Sequence, residues 1–315
     1  MASAARSFRS GSVLTALDAS GTISAWGDPA RGGSGAPAGN GFVLVVANED
    51  ACAALHSSGT ISVWGDGSHG GGSAPAGSDF VSIAATKGAF ASLDGSGSIR
   101  AWGAPGYGNV GPTGSGFVSI TATERAFAAL DWMGTISAWG LEDYGGGGSG
   151  GSGVPAGSGF VLIASNVNTF VALDMAGRLS LWGDGAATAH PAGTYVATPQ
   201  GGGFVSIASN QNAFAALDAS GAIGAFGSAD SGGSGAPTGS GFVSIASTER
   251  AFAASDASGA ISAWGDSGYG GSGAPTGGGF VSITSTKRAF AALDSSGAIR
   301  AWGDPVYGGS GAPTG

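Results

Sequence analysis

The amino-acid sequence predicts an all-β chain: a β-propeller of seven to eight blades, each with three short antiparallel strands and room for a fourth. Three observations carry that expectation. A Phe-Val pair opens at Phe42, Phe80, Phe117, Phe160, Phe204, Phe242 and Phe280, and an aromatic-Gly pair follows 22 residues later each time, at Trp64, Trp102, Trp139, Trp182, Phe226, Trp264 and Trp302. From each aromatic to the next Phe-Val the interval varies from 15 to 22 residues. Every length change therefore falls between modules, as it does when structured repeats are joined by surface loops. Inside each module, apolar runs of strand length alternate with turn chemistry, and none is long enough for a helix.

Taken in order, the module at residues 241–265 begins with a predicted strand at 241–247 (GFVSIAS), followed by a polar turn, Thr248-Glu249-Arg250. A second strand at 251–256 (AFAASD) ends in an Asp-x-x-Gly turn, Asp256 to Gly259, and a third follows at 260–264 (AISAW). Asp accepts hydrogen bonds from its own turn and Gly adopts positive φ, which closes a hairpin loop of three to four residues. Each module thus reads as a three-stranded meander. Its faces are both apolar: Phe290 and Ala292 lie on one side of their strand, Ala289, Ala291 and Leu293 on the other. Such a sheet must be covered on both sides, which radial stacking of blades provides. A β-solenoid is the rival architecture, but its coils are shorter and need no connector of this length.

Residues 13–27 (VLTALDASGTISAWG) repeat the second half of the module, with Trp26 in the aromatic place. Residues 1–12 then read as an N-terminal extension or a degenerate first strand, reduced to Ser7-Phe8-Arg9-Ser10. Residues 13–315 read as a single propeller domain with modules starting near 13, 41, 79, 116, 159, 203, 241 and 279. Connectors such as 265–279, with Pro275, leave space for a brief fourth strand that proline confines to a sheet edge.

Composition narrows the function classes. The 65 glycines among 315 residues are not at every third position, which excludes collagen, and 42% hydrophobic residues with 9% aromatics exclude general disorder. No apolar run approaches the roughly 18 residues of a membrane span. Eleven Lys and Arg against 20 Asp and Glu give a net charge of −9, so no nucleic-acid partner is expected. The single cysteine, Cys52, excludes an internal disulfide framework. Residues 1–10 (MASAARSFRS) are Ser- and Arg-rich without acid, faintly like an organellar transit peptide, and no secretory h-region follows. The expected setting is intracellular and soluble, or organellar.

The segment from Ser258 to Gly271 (SGAISAWGDSGYGG) resembles the regulator of chromosome condensation (RCC1-like) repeat family, whose blades carry Gly-x-hydrophobic-x-x-Trp-Gly and a Gly-rich tail. Val243-Ser244-Ile245-Ala246 and Ala251-Phe252-Ala253-Ala254 match the family's other apolar strands, so the resemblance covers residues 13–315. It implies a seven-bladed propeller. Where the family often has His-Ser or His-Thr, this chain has Ala-Phe, as at Ala126-Phe127 and Ala289-Phe290. That departure makes the fold a firmer implication than any activity.

The repeated aromatics Trp26, Trp64, Trp102, Trp139, Trp182, Phe226, Trp264 and Trp302 read as packing between blades. Cys52 occupies an interior position taken by Phe90 or Phe127 elsewhere and reads as a small buried hydrophobe. His56, His69 and His190 share no metal-ligand spacing, and each Asp-x-x-Gly turn offers a lone carboxylate, so neither metal nor cofactor is expected. No nucleophile, base and oxyanion donor assemble, and the chain does not read as an enzyme. Arg125, Arg250 and Arg288 fall in the first turn of their modules with Glu49, Asp50, Lys87, Glu124, Glu249 and Lys287, which predicts a charged rim. That rim is one candidate docking face. The long connectors after Trp139 and Trp182, with Glu142, Asp143 and Tyr144 in one and His190 and Tyr195 in the other, are the second. The leading expectation is a noncatalytic protein-binding scaffold within a larger assembly. The alternatives are a guanine-nucleotide exchange factor for a small GTPase, as the resemblance implies, and a multivalent glycan-binding propeller using Tyr107, Tyr144, Tyr269 and Tyr307.

Overall fold

The computed structural model describes residues 6–9, 12–147, 153–184 and 195–313. Among them the backbone forms eight antiparallel sheets that follow one another along the chain. A representative blade comprises Phe242–Ser247, Ala251–Asp256 and Ile261–Gly265, hydrogen-bonded in that order. The eighth sheet is supplied by the N-terminal segment: Arg6–Arg9 pairs with Val13–Leu17, setting Phe8 opposite Thr15, and Val13–Leu17 pairs with Ile23–Gly27. By contacts the chain falls into two compact units. One runs to Ile163 and takes in the first four sheets with residues 168–170 and 182–184; the other comprises residues 164–167, 171–181 and 185–315.

The first strands that open at Phe42, Phe80, Phe117, Phe204, Phe242 and Phe280 each carry a β-bulge. Phe242 pairs with Asp256 and Ser244 with Ser255, leaving Val243 unpaired between them and turned out to solvent. The same two-against-one count exposes Val43, Val81, Val118, Val205 and Val281.

Middle strands such as Ala51–His56, Ala89–Asp94 and Ala126–Asp131 are almost wholly enclosed, and their small side chains explain how. Ala213 and Ala215 of one blade pack against Phe252, Ala254 and Trp264 of the next, and Ala251 and Ala253 of that blade against Phe290, Ala292 and Trp302 of its successor. Each blade thus offers an alanine face to its neighbour's aromatic face. On the aromatic side the two rings stack, Phe252 on Trp264 at 5.3 Å between centroids and 25° between planes.

The hairpins close as the turn chemistry requires. Asp256 Oδ1 accepts from the Ser258 N–H at 2.8 Å, the Ser258 hydroxyl at 2.6 Å and the Ala260 N–H at 3.0 Å, while Gly259 sits at φ +77°. His56 substitutes for Asp in its own blade, its Nδ1 accepting from the Ser58 N–H at 3.0 Å.

The connectors hold a short feature that the sequence reading did not anticipate. After the Trp-Gly-Asp at 26–28, 64–66, 264–266 and 302–304 the chain makes one 3-10 turn: Asp266 caps Ser267–Tyr269 by accepting from the Gly268 N–H, and Gly270 ends it at φ +88°. The Gly270 carbonyl then accepts from Trp302 Nε1 of the following blade at 3.0 Å. A Cβ at Gly270 would lie 2.7 Å from the Phe290 ring, so glycine is required both for backbone conformation and for space. Equivalent latches join Trp64 to Gly32, Trp102 to Gly70, Trp139 to Gly108, Trp182 to Gly145 and Trp264 to Gly232, at 2.9–3.1 Å. The blade with Phe226 lacks an indole N–H. Among the described residues it alone has a fourth strand, Tyr195–Val196, paired along the outer edge with Ser228 and Gly227. The predicted fourth strand therefore exists in one blade, as an edge strand.

Candidate functional site

Two sets of turns lie at opposite ends of the strands, and they differ in what they leave open. In the first set, successive blades are tied by backbone hydrogen bonds: Glu49 N–H to the Lys87 carbonyl (3.3 Å) and Lys87 N–H to that of Glu124 (2.8 Å). In the other unit Gln211 donates to Glu249 (3.1 Å) and Glu249 to Lys287 (2.9 Å). The charged side chains follow the same ladder. Lys87 Nζ lies 2.8 Å from Glu124 and 3.4 Å from Glu49, and its hydrogen bond to Glu124 raises the ammonium above its ordinary pKa against the opposing effect of burial.

The arginines of these turns are held by tyrosines. The Arg125 guanidinium lies 5.0 Å from the Tyr107 ring centroid and 5.5 Å from that of Tyr144, one ring from the preceding connector and one from its own. Arg288 is held likewise between Tyr269 (4.7 Å) and Tyr307 (5.0 Å), with Asp304 at 3.8 Å. Arg250 stacks on Tyr269 at 5.5 Å and reaches Asp266 at 3.4 Å. Arg125–Tyr107 and Arg288–Tyr269 span the joint between neighbouring blades, the other three pairs lie within one repeat, and each is a cation–π pair of ordinary geometry. The predicted rim is thus a row of cross-blade staples, and the tyrosine faces are already occupied by guanidinium groups.

Glu142 and Asp143 are exposed in the 3-10 turn Glu142–Tyr144, ahead of the long part of their connector. His190 lies outside the described residues, and for Tyr195 only the strand pairing of its backbone is described.

At the hairpin end, one blade departs from the rest. Most Asp-x-x-Gly turns carry Ala or Ser in the middle, as in Ala257-Ser258 and Ser295-Ser296, but the fourth blade has Trp132-Met133. Trp132 is 75% exposed and Met133 56%. The backbone beneath them is fixed: Asp131 Oδ1 accepts from the Met133 N–H at 2.9 Å and the Thr135 N–H at 2.7 Å, and Trp132 N–H donates to the Gly116 carbonyl at 3.0 Å. The indole lies over Gly116, where a Cβ would come within 3.0 Å of it. Bulge residue Val118 adds exposed apolar surface at the same end of the blade. The sequence signal was present as two large apolar residues replacing small ones in a surface turn. The next blade's turn carries Met175, also exposed.

Cys52 is fully enclosed, and burial pushes its thiol up to about 12, which removes it as a nucleophile. Among the described residues, no three His, Cys, Asp or Glu side chains cluster as metal ligands, and no helix is long and apolar enough to cross a membrane.

No protein-family model and no curated protein matches the chain. Solved structures do. The ectodomain of the Physcomitrella patens receptor kinase CR4 aligns over 84% of this chain and 72% of its own, with 19% identity and a TM-score of 0.53. The computationally designed Ika8 protein aligns over 96% of both chains, with 15% identity and a TM-score of 0.51. Yeast RCC1 (Prp20), solved bound to Kap60, aligns over 79% of both chains at 16% identity and a TM-score of 0.49. The fold is a β-propeller, with eight blades among the described residues.

Proposed function

We propose that the chain is a noncatalytic protein-binding scaffold, a subunit or accessory factor of a larger assembly, and that the Asp131–Gly134 hairpin is a principal anchor for its partner. The observation that carries this reading is the exposed Trp132-Met133 pair on a turn whose backbone is fully hydrogen-bonded. A rigid hairpin presents a large aromatic side chain at little entropic cost, and tryptophan is the residue type most enriched among interface hot spots. The two long connectors, with Glu142, Asp143, His190 and Tyr195, extend the contact. The glycan reading loses its support, because four connector tyrosines pack against arginines.

The test is affinity purification of the tagged chain from its own cells, beside a Trp132→Ser/Met133→Ser double variant and a variant lacking residues 186–199. Loss of a stoichiometric protein partner in the double variant, with an unchanged circular dichroism spectrum, is the expected result. Equal recovery by all three chains would overturn the proposal.

A further inference from the structure

One rim cation lacks the carboxylate that its counterparts hold. Where the first turn of a blade carries arginine, the residue after Trp-Gly donates its backbone N–H to that arginine's carbonyl: Asp266 to Arg250, Asp304 to Arg288 and Leu141 to Arg125, each at 3.0 Å. In the first two the aspartate side chain also reaches the guanidinium, Asp266 at 3.4 Å from Arg250 and Asp304 at 3.8 Å from Arg288. Leucine offers no such group. Lys87 pairs with Glu124 and Glu49, and Lys287 with Glu249. Among the described residues Arg125 makes no ion pair, and its enclosed Nε meets no hydrogen-bond acceptor.

The guanidinium is nevertheless held in place. Tyr107 and Tyr144 flank it at 5.0 and 5.5 Å, and all three residues belong to one compact unit. Cation–π contact holds the guanidinium while supplying no formal negative charge. A planar fork of N–H donors, positioned and half-buried, is what a carboxylate fills with two parallel hydrogen bonds. Neighbouring charge sets the kind of anion. Lys87 and Glu124 neutralise each other at 2.8 Å, whereas Glu142 and Asp143 lie exposed in the same connector as Leu141. Their negative charge opposes a phosphate dianion or a run of acidic residues more strongly than it opposes a single carboxylate.

We propose that Arg125 is a docking point for a single carboxylate of a protein partner, an Asp or Glu side chain in an otherwise uncharged segment. That carboxylate takes the place that Asp266 and Asp304 fill in their own blades. Arg125 lies in the turn between Phe117–Ala122 and Ala126–Asp131, and Trp132 in the turn between Ala126–Asp131 and Ile136–Gly140. The site is therefore at the other end of the strands from the Asp131–Gly134 anchor and does not rest on it.

The experiment is nuclear magnetic resonance of the full chain with isotopically labelled arginine, following the Nε–H signals as sodium acetate replaces sodium chloride at constant ionic strength, so that screening is unchanged. Arg125→Lys identifies the Arg125 signal by its loss. That signal is expected to shift with acetate while those of Arg250 and Arg288 stay still, and inorganic phosphate at the same ionic strength is expected to shift it less. Leu141→Asp supplies the carboxylate from within the blade. Its Arg125 signal is expected to lose the response to acetate, with the other arginine signals in their wild-type places as evidence that the fold is kept. A wild-type Arg125 signal that acetate does not move overturns the proposal, whatever the variant does. So does a response as large in Leu141→Asp as in the wild type, and a larger response to phosphate than to acetate overturns the choice of a carboxylate.

Discussion

The latch at Trp264 gives the sharpest test of how blades are held together. Trp264 is buried, stacks on Phe252 and donates through Nε1 to the Gly232 carbonyl at 2.9 Å. Trp264→Ala removes the ring from a closed interface and is expected to cost about 3–5 kcal/mol. Trp264→Phe keeps most of the ring but leaves the carbonyl without a donor, an expected loss of about 1–3 kcal/mol. Gly232→Ala attacks the joint from the other side. The residue sits at φ +89° and its new Cβ would lie 2.9 Å from the Phe252 ring. The left-handed backbone costs about 1–2 kcal/mol and overpacking about 1–3 kcal/mol more. Trp26→Phe is the internal control, because Trp26 is 47% exposed and its indole N–H meets no acceptor among the described residues, so its loss should stay within about 0.5 kcal/mol. The assay is urea unfolding at dilution, followed by circular dichroism, with the midpoint shifted and the slope unchanged. The reasoning fails if Trp264→Phe is neutral, or if Trp26→Phe costs as much as Trp264→Phe.

Other outcomes follow from the same geometry. The Asp18, Asp218, Asp256 and Asp294 carboxyls are held below their ordinary value of 3.8, chiefly by the hydroxyls of Ser20, Ser220, Ser258 and Ser296 and then by backbone N–H groups. Groups depressed in the folded state add stability that is full above the unfolded value and is lost as pH falls through the folded one. Stability should therefore hold to near pH 3.8 and fall below it, and Ser258→Ala should shrink that acid-side loss in a pH series of urea midpoints. Cys52, with its thiol pushed up to about 12 and no exposed surface, should react with a thiol reagent only at the rate of unfolding; prompt labelling of the native chain would contradict its burial. Arg288→Ala should cost about 0.5–1 kcal/mol for a half-exposed cation–π site, with Arg288→Lys intermediate, read by the same denaturation.

The meander was legible in the sequence because its determinants are local. Asp256 bonds to groups two and four residues away, Gly259 supplies the positive φ within the same turn, and a short apolar run marks the strand between the two turns. The fixed spacing from Phe242 to Trp264 follows, since three strands and two tight turns leave no slack. The candidate site was missed in the sequence, although Trp132 and Met133 replace small residues in a surface turn; the packing around Gly116 shows that the indole lies outside the core. The arginines looked like a solvated rim, because nothing in the spacing says that Tyr107 and Tyr144, in two different connectors, converge on Arg125.

What tertiary structure alone decided are the contacts between repeats. Asp266 and Gly270 are visible signals for a capped turn, yet the partner of that turn is Trp302, 32 residues away in the next blade. Trp264 is buried because the Gly232 turn of the preceding blade meets its indole, a contact that the Trp-Gly pair by itself does not announce. A repeating sequence writes the same half-joint into every unit; which halves meet is set by the neighbours that packing supplies.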